Sequence, residues 1–432
     1  MQTLTAIVRG LSERYPKVQN LMRYITVKSL KLAHKNADGK KAKGIDGVTK
    51  EEYEQNLEEN LENLIKRMKD FSYRPQPVRR VYIPKANGKL RPLGIPAYEE
   101  KLVQAVMSDI LQGIYEPRFL DCSYGFRPDR DCHDVVKLIN DSLMRESANY
   151  VLEADIKGFF DNVSHEWMMK FLENDIDDKV FLRYINRFLK AGVMEEGKLF
   201  EVDKGTPQGG LISPVLANVY LHYALDMWIE KSVMSKLKGW AKYVRYADDF
   251  LMVFQYEEDA VSVMNALPGR LGKFNLEVAP EKTRVLPFGR NDRDNNSFDF
   301  LGFTFYEAKT RKGGFRVGIK TSSKKLKQKR KALKQWAKEH MHDPVANTLM
   351  RLDQKLRGHC QYYGVNGNFV SLKNFYYYAR YTMFKVLRRR GQKHRLTWAK
   401  MDELWPVYIS KPAIMVQIWY RDKDSSRSRM PK

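Results

Sequence analysis

Two adjacent carboxylates, Asp248 and Asp249, stand between the apolar stretches Tyr243-Val244 and Phe250 to Phe254. The pattern predicts two strands joined by a tight turn, with the acids at its tip. Side chains alternate along a strand, so the two carboxylates should point in different directions. Unpaired acids in so apolar a setting invite a divalent cation; an ordinary Asp-containing hairpin turn is the bland alternative. A second acid changes the balance. Tyr150 to Asp155 reads as a strand ending in a carboxylate, followed by a turn into a helix through Phe159-Phe160-Asp161. If the two strands are neighbours, Asp155 meets the Asp248 turn. The acids then offer the hard oxygen ligands that Mg2+ takes. Two such ions, about 4 Å apart, suit in-line phosphoryl transfer.

Further blocks follow in order: Gly44 to Val48; Ile83-Pro84-Lys85 with Arg91 to Pro96; Ser123 to Pro128; Asp155 to Asp161; Gly205 to Gly210 with Ser213-Pro214; Tyr246 to Asp249; Phe300 to Phe303; and Leu356 to Gly358 with Tyr362 to Gly364. In this order they resemble a reverse transcriptase, specifically the proteins encoded by bacterial group II introns. The resemblance implies an α+β right-hand polymerase: fingers and a palm with an antiparallel sheet and helices, then an α-helical thumb. It implies RNA-directed DNA synthesis with two Mg2+ ions, a primer 3'-hydroxyl and dNTPs. The implied metal ligands are Asp155, the Ile156 carbonyl, Asp248 and, in a supporting role, Asp249.

Lys85 and Arg91 flank Asn87-Gly88, a hairpin signal, so both can project from one β-ribbon. The resemblance has them grip the triphosphate; solvated surface cations are the alternative. Pro84 and Pro92 fit ribbon ends or an edge. Phe160 matches the ring beneath the sugar, where it would collide with a ribose 2'-hydroxyl; a core aromatic is the alternative, and Phe159 reads as packed. Gln208 lies among glycines that permit close backbone approach and would contact the nucleotide or template base. After it, Ser213-Pro214 opens an amphipathic helical run reaching Trp228. Lys282 matches the lysine that closes the palm, with a plain surface lysine as competitor. Phe300-Leu301-Gly302-Phe303 resembles the primer-grip hairpin, against a bulged core strand.

The 432 residues can form two or three domains, and hydrophobics at 43% indicate a folded protein. No apolar run is long enough for a membrane span, and the N-terminus lacks a signal-peptide core. Cys122, Cys132 and Cys360 have no metal-site spacing, which suggests thiols in a reducing cytoplasm; the resemblance implies a bacterial one. The net charge of +24 is lopsided. Residues 309–400 carry 25 Lys and Arg against three acids, a net +22. Such a polycation seeks nucleic acid. Lys324, Lys325, Lys327, Lys329, Arg330, Lys331 and Lys334 read as one cationic helix face, with Leu326, Leu333 and Trp336 as its packed stripe. A second helix is expected over Val345 to Leu356, turning at Gly358. A third covers Phe369 to Arg390 and ends on Arg388-Arg389-Arg390.

The domains expected are an N-terminal extension (1–75), fingers (76–135), palm (136–308), a basic thumb and maturase region (309–400), and a short appendage (401–432). The stretch after the thumb has no cysteine and no histidine beyond His394, so no endonuclease is expected there. Expected partners are the intron RNA, an RNA template with DNA primer, dNTPs and target DNA. No motif fixes an oligomeric state. A splicing-only maturase and a domesticated defence or CRISPR-associated reverse transcriptase are the competing functions; intact acids argue against the first, and the intron-type thumb against the second.

Overall fold

Capped helices open the chain. In α1 (Leu4–Arg14), the Thr3 side chain accepts from Ala6 N–H; α2 (Val27–Asn36) and α3 (Lys50–Glu54) begin with capping boxes, Thr26 with Ser29 and Thr49 with Glu52. Next come α4 (Leu57–Lys69), β1 (Val78–Pro84), β2 (Leu90–Ile95), α5 (Tyr98–Tyr115) and α6 (Cys132–Leu143). The central stretch holds β3 (Tyr150–Asp155), α7 (Phe159–Asn162), α8 (His165–Asp175), α9 (Lys179–Leu189), β4 (Val193–Glu195), β5 (Lys198–Phe200) and α10 (Ser213–Leu221). Then follow β6 (Ala241–Tyr246), β7 (Asp249–Phe254), α11 (Glu257–Gly272), β8 (Arg284–Pro287), β9 (Ser297–Phe300), β10 (Phe303–Lys309) and β11 (Phe315–Thr321). Helices α12 (Ser323–Glu339), α13 (Val345–Tyr363), α14 (Phe369–Leu387) and α15 (Trp398–Tyr408) complete an α+β chain. This computed structural model describes residues 3–84, 90–145, 147–195, 198–200, 203–205, 209–290, 296–390 and 396–418.

Two units divide the chain. The first is Met1–Asp131 with Val151–Val285, the second Cys132–Tyr150 with Leu286–Lys432. In the first, β1 and β2 form an antiparallel ribbon from Arg79↔Ile95 to Pro84↔Leu90, within a sheet of order β2-β1-β4-β5. Pro92 therefore sits on an edge strand and Pro84 at a strand end, as proline requires. A second sheet has the order β6-β7-β3-β8. Strand β7 lies inside it, and Phe250 to Phe254 are all buried. An unbroken apolar run is what a doubly covered strand needs.

Two expectations need correction. The run from Ser213 to Trp228 is not one amphipathic helix. Every residue of α10 except Pro214 is buried, and π-helical turns follow at His222–Asp226 and Ile229–Val233. A helix apolar all round belongs in a core. Helix α13 also does not turn at Gly358. Its buried stripe Leu349, Leu352, Leu356, His359 and Tyr363 carries the helical period straight through. Gly364 ends it, where an added Cβ would meet the Cys360 carbonyl oxygen at 2.2 Å.

In the second unit, β9, β10 and β11 form an antiparallel meander in the order β11-β10-β9. Helices α12 to α15 enclose a core that includes Leu333, Leu352, Phe375, Met383 and Trp405. Leu326 and Trp336 pack against it, so the packed stripe of α12 is as expected. The appendage also packs: Trp405 Nε1 donates to Tyr376 Oη at 2.7 Å, and Ser410 N–H to Asp353 Oδ1 at 2.8 Å. Among the described residues, no helix is long and apolar enough to cross a membrane.

Candidate active site

The acids meet on adjacent strands. Tyr246 pairs with Asp249 at the end of the β6–β7 ladder, leaving Ala247-Asp248 as a two-residue turn. Ala247 sits at φ +56°, the conformation such a turn demands. Strand β3 lies beside β7 and ends at Asp155. Just beyond, Ile156 bridges to Val278, Lys157 N–H donates to Glu277 O at 2.9 Å, and Ala279 N–H to Asp155 O at 2.8 Å. This stitching fixes the 3-10 turn Pro280–Lys282, whose Lys282 ammonium donates to Asp155 Oδ2.

The electrostatics are those of crowded, partly buried carboxylates. Burial, then the charge of Asp155, holds the Asp248 carboxyl above its ordinary value, with Arg91 and Lys282 pulling the other way. Asp249 keeps a face open to solvent. Even so, the protein packed about it, then the charges of Asp248 and Asp155, push it up to about 7; protonated, it donates to Asp155. Hydrogen bonding to Asp155 raises Lys282. Among the described residues no group of three or more His, Cys, Asp or Glu is set as a finished metal cage. Lys282 supplies a counter-charge to Asp155. Crowded carboxylates, two of them held above their ordinary values by burial and by the charge of neighbouring acids, suit a divalent ion, which would displace both proton and ammonium.

Below the turn lies a network that inspection of the motifs does not single out. Arg245 and Asp226 are both wholly buried. Arg245 donates to Asp226 Oδ1 and Oδ2 at 2.7 and 2.5 Å, to Asn218 Oδ1 at 3.0 Å, to Ser123 Oγ at 2.7 Å and to Ala247 O at 2.8 Å. Tyr243 Oη adds a bond to Asp226 Oδ1 at 2.8 Å. The available signal is Arg245 directly after the apolar Tyr243-Val244 of β6, and a lone Asp226 within a largely apolar helical run. The Ser123 block gains its reason here: Ser123 bridges to Arg245, and a Cβ on Gly125 would meet Ala247 N at 2.4 Å.

The other expected residues fall as follows. Arg91 is exposed on β2, opposite Ile83. Phe160 is half-buried on α7, edge-on to buried Phe159 with ring centroids 5.3 Å apart. The glycine box is held at both ends: a Cβ on Gly205 (φ +90°) would meet Phe160 O at 2.9 Å, and one on Gly209 (φ +120°) would meet Gly94 O at 2.6 Å. Only glycine fits either place. Lys85 and Gln208 lie outside the described residues.

In the second unit, Leu301 (φ +49°) and Gly302 (φ +78°) form a two-residue hairpin turn between β9 and β10. Phe300 and Phe303 are buried behind it, and Tyr362 Oη donates to Leu301 O at 3.0 Å. This is a hairpin and not a bulged strand. On α12, Lys324, Lys325, Lys327, Lys331 and Lys334 are exposed; Lys329 and Arg330 lie half-buried over the rings of Tyr363 and Tyr378. Arg388 and Arg389 are exposed, whereas Arg390 is engaged by the carbonyls of Met341 and Asp343.

Strand-end carboxylates on a sheet backed by buried helices define a nucleotidyl-transfer type of site, and a family model agrees. The model described as reverse transcriptase (RNA-dependent DNA polymerase) matches residues 83–305, and the chain belongs to that family. It is 31% identical to the group II intron-encoded protein LtrA of Lactococcus lactis subsp. cremoris, over 85% of this chain and 74% of the relative. To protein YkfC of Escherichia coli (strain K12) it is 32% identical, over 70% of this chain and 86% of the relative. A putative COX1/OXI3 intron 1 protein of Saccharomyces cerevisiae is 32% identical, over 60% and 36%. The chain is thus an RNA-directed DNA polymerase of the intron-encoded reverse transcriptase and maturase kind.

Proposed function

We propose that the first unit's carboxylates extend a DNA primer on an RNA template within a right-hand polymerase: fingers over 76–135, palm over 136–308, basic thumb over 309–400, and 1–75 as an extension contacting template. Asp155, the Ile156 carbonyl, Asp248 and Asp249 would hold two Mg2+ ions, which would supply the charge neutralisation that phosphoryl transfer needs. Arg91, with Lys85, steadies the triphosphate. Phe160 lies under the sugar and excludes a 2'-hydroxyl, while Gln208 contacts the incoming nucleotide or its template base. Lys282, released from Asp155, pairs with the leaving pyrophosphate. Phe300 to Phe303 support the primer end. The cationic face of α12, with Arg388 and Arg389, binds the group II intron RNA to assist splicing and retrohoming into target DNA.

The observation that carries this reading is the meeting of Asp155 with the Asp248-Asp249 hairpin on adjacent strands. Primer extension on an RNA template, with deoxynucleotides or ribonucleotides, tests it. Wild-type protein should extend with dNTPs, and Asp248→Ala should not, while binding RNA as before. Equal extension by the two proteins would overturn the assignment.

A further inference from the structure

Two buried side chains outside every motif fasten the ends of the glycine box. His165, the first residue of α8, is 6% exposed, and its Nε2 donates to the Gly205 carbonyl oxygen at 2.6 Å. Burial lowers its pKa against the pull of that carbonyl, so the ring is neutral. A carbonyl only accepts, which puts the ring proton on Nε2. Nδ1 then has no hydrogen-bond partner among the described residues. Beyond the box, Leu211 N–H donates at 2.9 Å to Oε1 of Gln104, a residue of α5 that is 5% exposed. An apolar side chain would fill either place without burying polar atoms, so packing alone explains neither residue.

The fastened ends lie on the two sides of the proposed nucleotide site. At the near end Lys204 bridges to Ser164, Gly205 N–H donates to Val163 O at 2.7 Å, and Lys204 Nζ donates to Asn162 Oδ1 at 3.1 Å. Asn162 closes α7, and its amide donates to the Lys157 and Gly158 carbonyls, both at 3.2 Å. The close approach of Gly205 to Phe160 O sets the box directly on the α7 backbone. The far end lies as closely on Gly94 of β2, the strand that carries Arg91.

We propose that His165 and Gln104 are positioning residues for nucleotide binding, which fix the glycine box between the Phe160 side and the Arg91 side of the site. This rests on the nucleotide-binding role proposed for those two residues. Both anchors are buried, so they act through the backbone they hold and not by touching substrate. A loop whose ends are already fixed loses less freedom when a nucleotide arrives, and binding is tighter for it. Loss of either anchor therefore acts on the nucleotide KM before it acts on kcat.

His165→Leu removes the donor, and His165→Gln returns an N–H near the place of Nε2. Gln104→Met keeps the volume and removes the acceptor. Full-length proteins are compared by single-nucleotide extension of a DNA primer annealed to an RNA template, with dNTP varied at saturating template–primer. His165→Leu and Gln104→Met should each raise the dNTP KM about tenfold, with kcat within about twofold of wild type. Affinity for template–primer should not change, and His165→Gln should recover most of the KM. The double variant should raise KM by less than the product of the single effects, because one freed end already releases the box. A purely structural role gives another pattern: lower melting temperature and lower kcat per mole of protein, with KM unchanged. That pattern overturns the proposal, as does a KM in His165→Gln as high as in His165→Leu. Phe160→Ala, measured alongside, reports on the site itself through its sugar choice. If it relaxes that choice while the anchor variants leave KM alone, the clamp fails and the nucleotide site stands. If no variant changes either quantity, the site is misplaced and the clamp falls with it.

Discussion

Arg245 and Asp226 form a doubly bonded, wholly buried ion pair, and the same guanidinium holds the Ala247 carbonyl in the turn that carries Asp248. The pair connects the hairpin, the helical core and the Ser123 segment. Removing one partner leaves a buried charge uncompensated, which costs about 3–5 kcal/mol. Arg245→Met should therefore melt well below wild type. Arg245→Met combined with Asp226→Leu should recover much of that loss, since replacing both charges is often neutral. The double variant should still extend primers poorly, because nothing then holds the Ala247 carbonyl. Melting temperature and kcat measured together test this; full activity in the double variant would count against it.

In the proposed site, metal and proton would compete for the same carboxylates. Asp249 titrates at about 7 in the folded chain, against about 3.9 for an unfolded aspartate. The folded state thus holds this proton more tightly. Its stabilising contribution is complete below about pH 4 and is lost as pH rises through about 7. In chelator, the melting temperature should fall by a few degrees across that window, and Asp249→Asn should flatten the fall. Mg2+ should raise melting more at about pH 8 than at about pH 5.5, because deprotonated ligands bind it better. A Mg2+ effect independent of pH would refute the link.

Phe160 is the sugar-side ring of the proposed site and sits half-buried against Phe159. Phe160→Ala opens space without removing a buried polar group. Ribonucleotide incorporation relative to deoxynucleotide should rise by about tenfold or more. Single-nucleotide extension with matched dNTP and NTP reads this ratio, and an unchanged ratio would return Phe160 to a packing role.

In the proposed RNA interface the exposed lysines of α12 would act through charge, so their effect should be visible as salt dependence. Each phosphate contact to single-stranded RNA contributes about −0.7 to the slope of log K against log salt. Replacing Lys324, Lys327 and Lys331 together by Gln should lower affinity at low salt and flatten that slope by about two units. Thermal stability should hardly change, since these side chains are exposed. Titrations at several salt concentrations decide it; a parallel line would place the RNA elsewhere.

The local elements were readable in the residues themselves. Strand β3, the β6–β7 hairpin and the start of α10 carry their own instructions: apolar alternation, a turn dipeptide, and Pro214 in a first turn. The charge split was equally plain, because charge adds along the chain whatever its shape. The length of α13 is not legible at Gly358, where buried contacts of Leu356, His359 and Tyr363 outweigh a weak local preference. Partnership between distant residues could not be read this way. That β3 lies beside β7, that Lys282 reaches Asp155, and that Arg245 finds Asp226, Ser123 and Asn218 are consequences of packing. Sequence sets which groups must find a partner, since a buried charge or an unpaired carboxylate is costly; only the folded chain decides which partner is within reach.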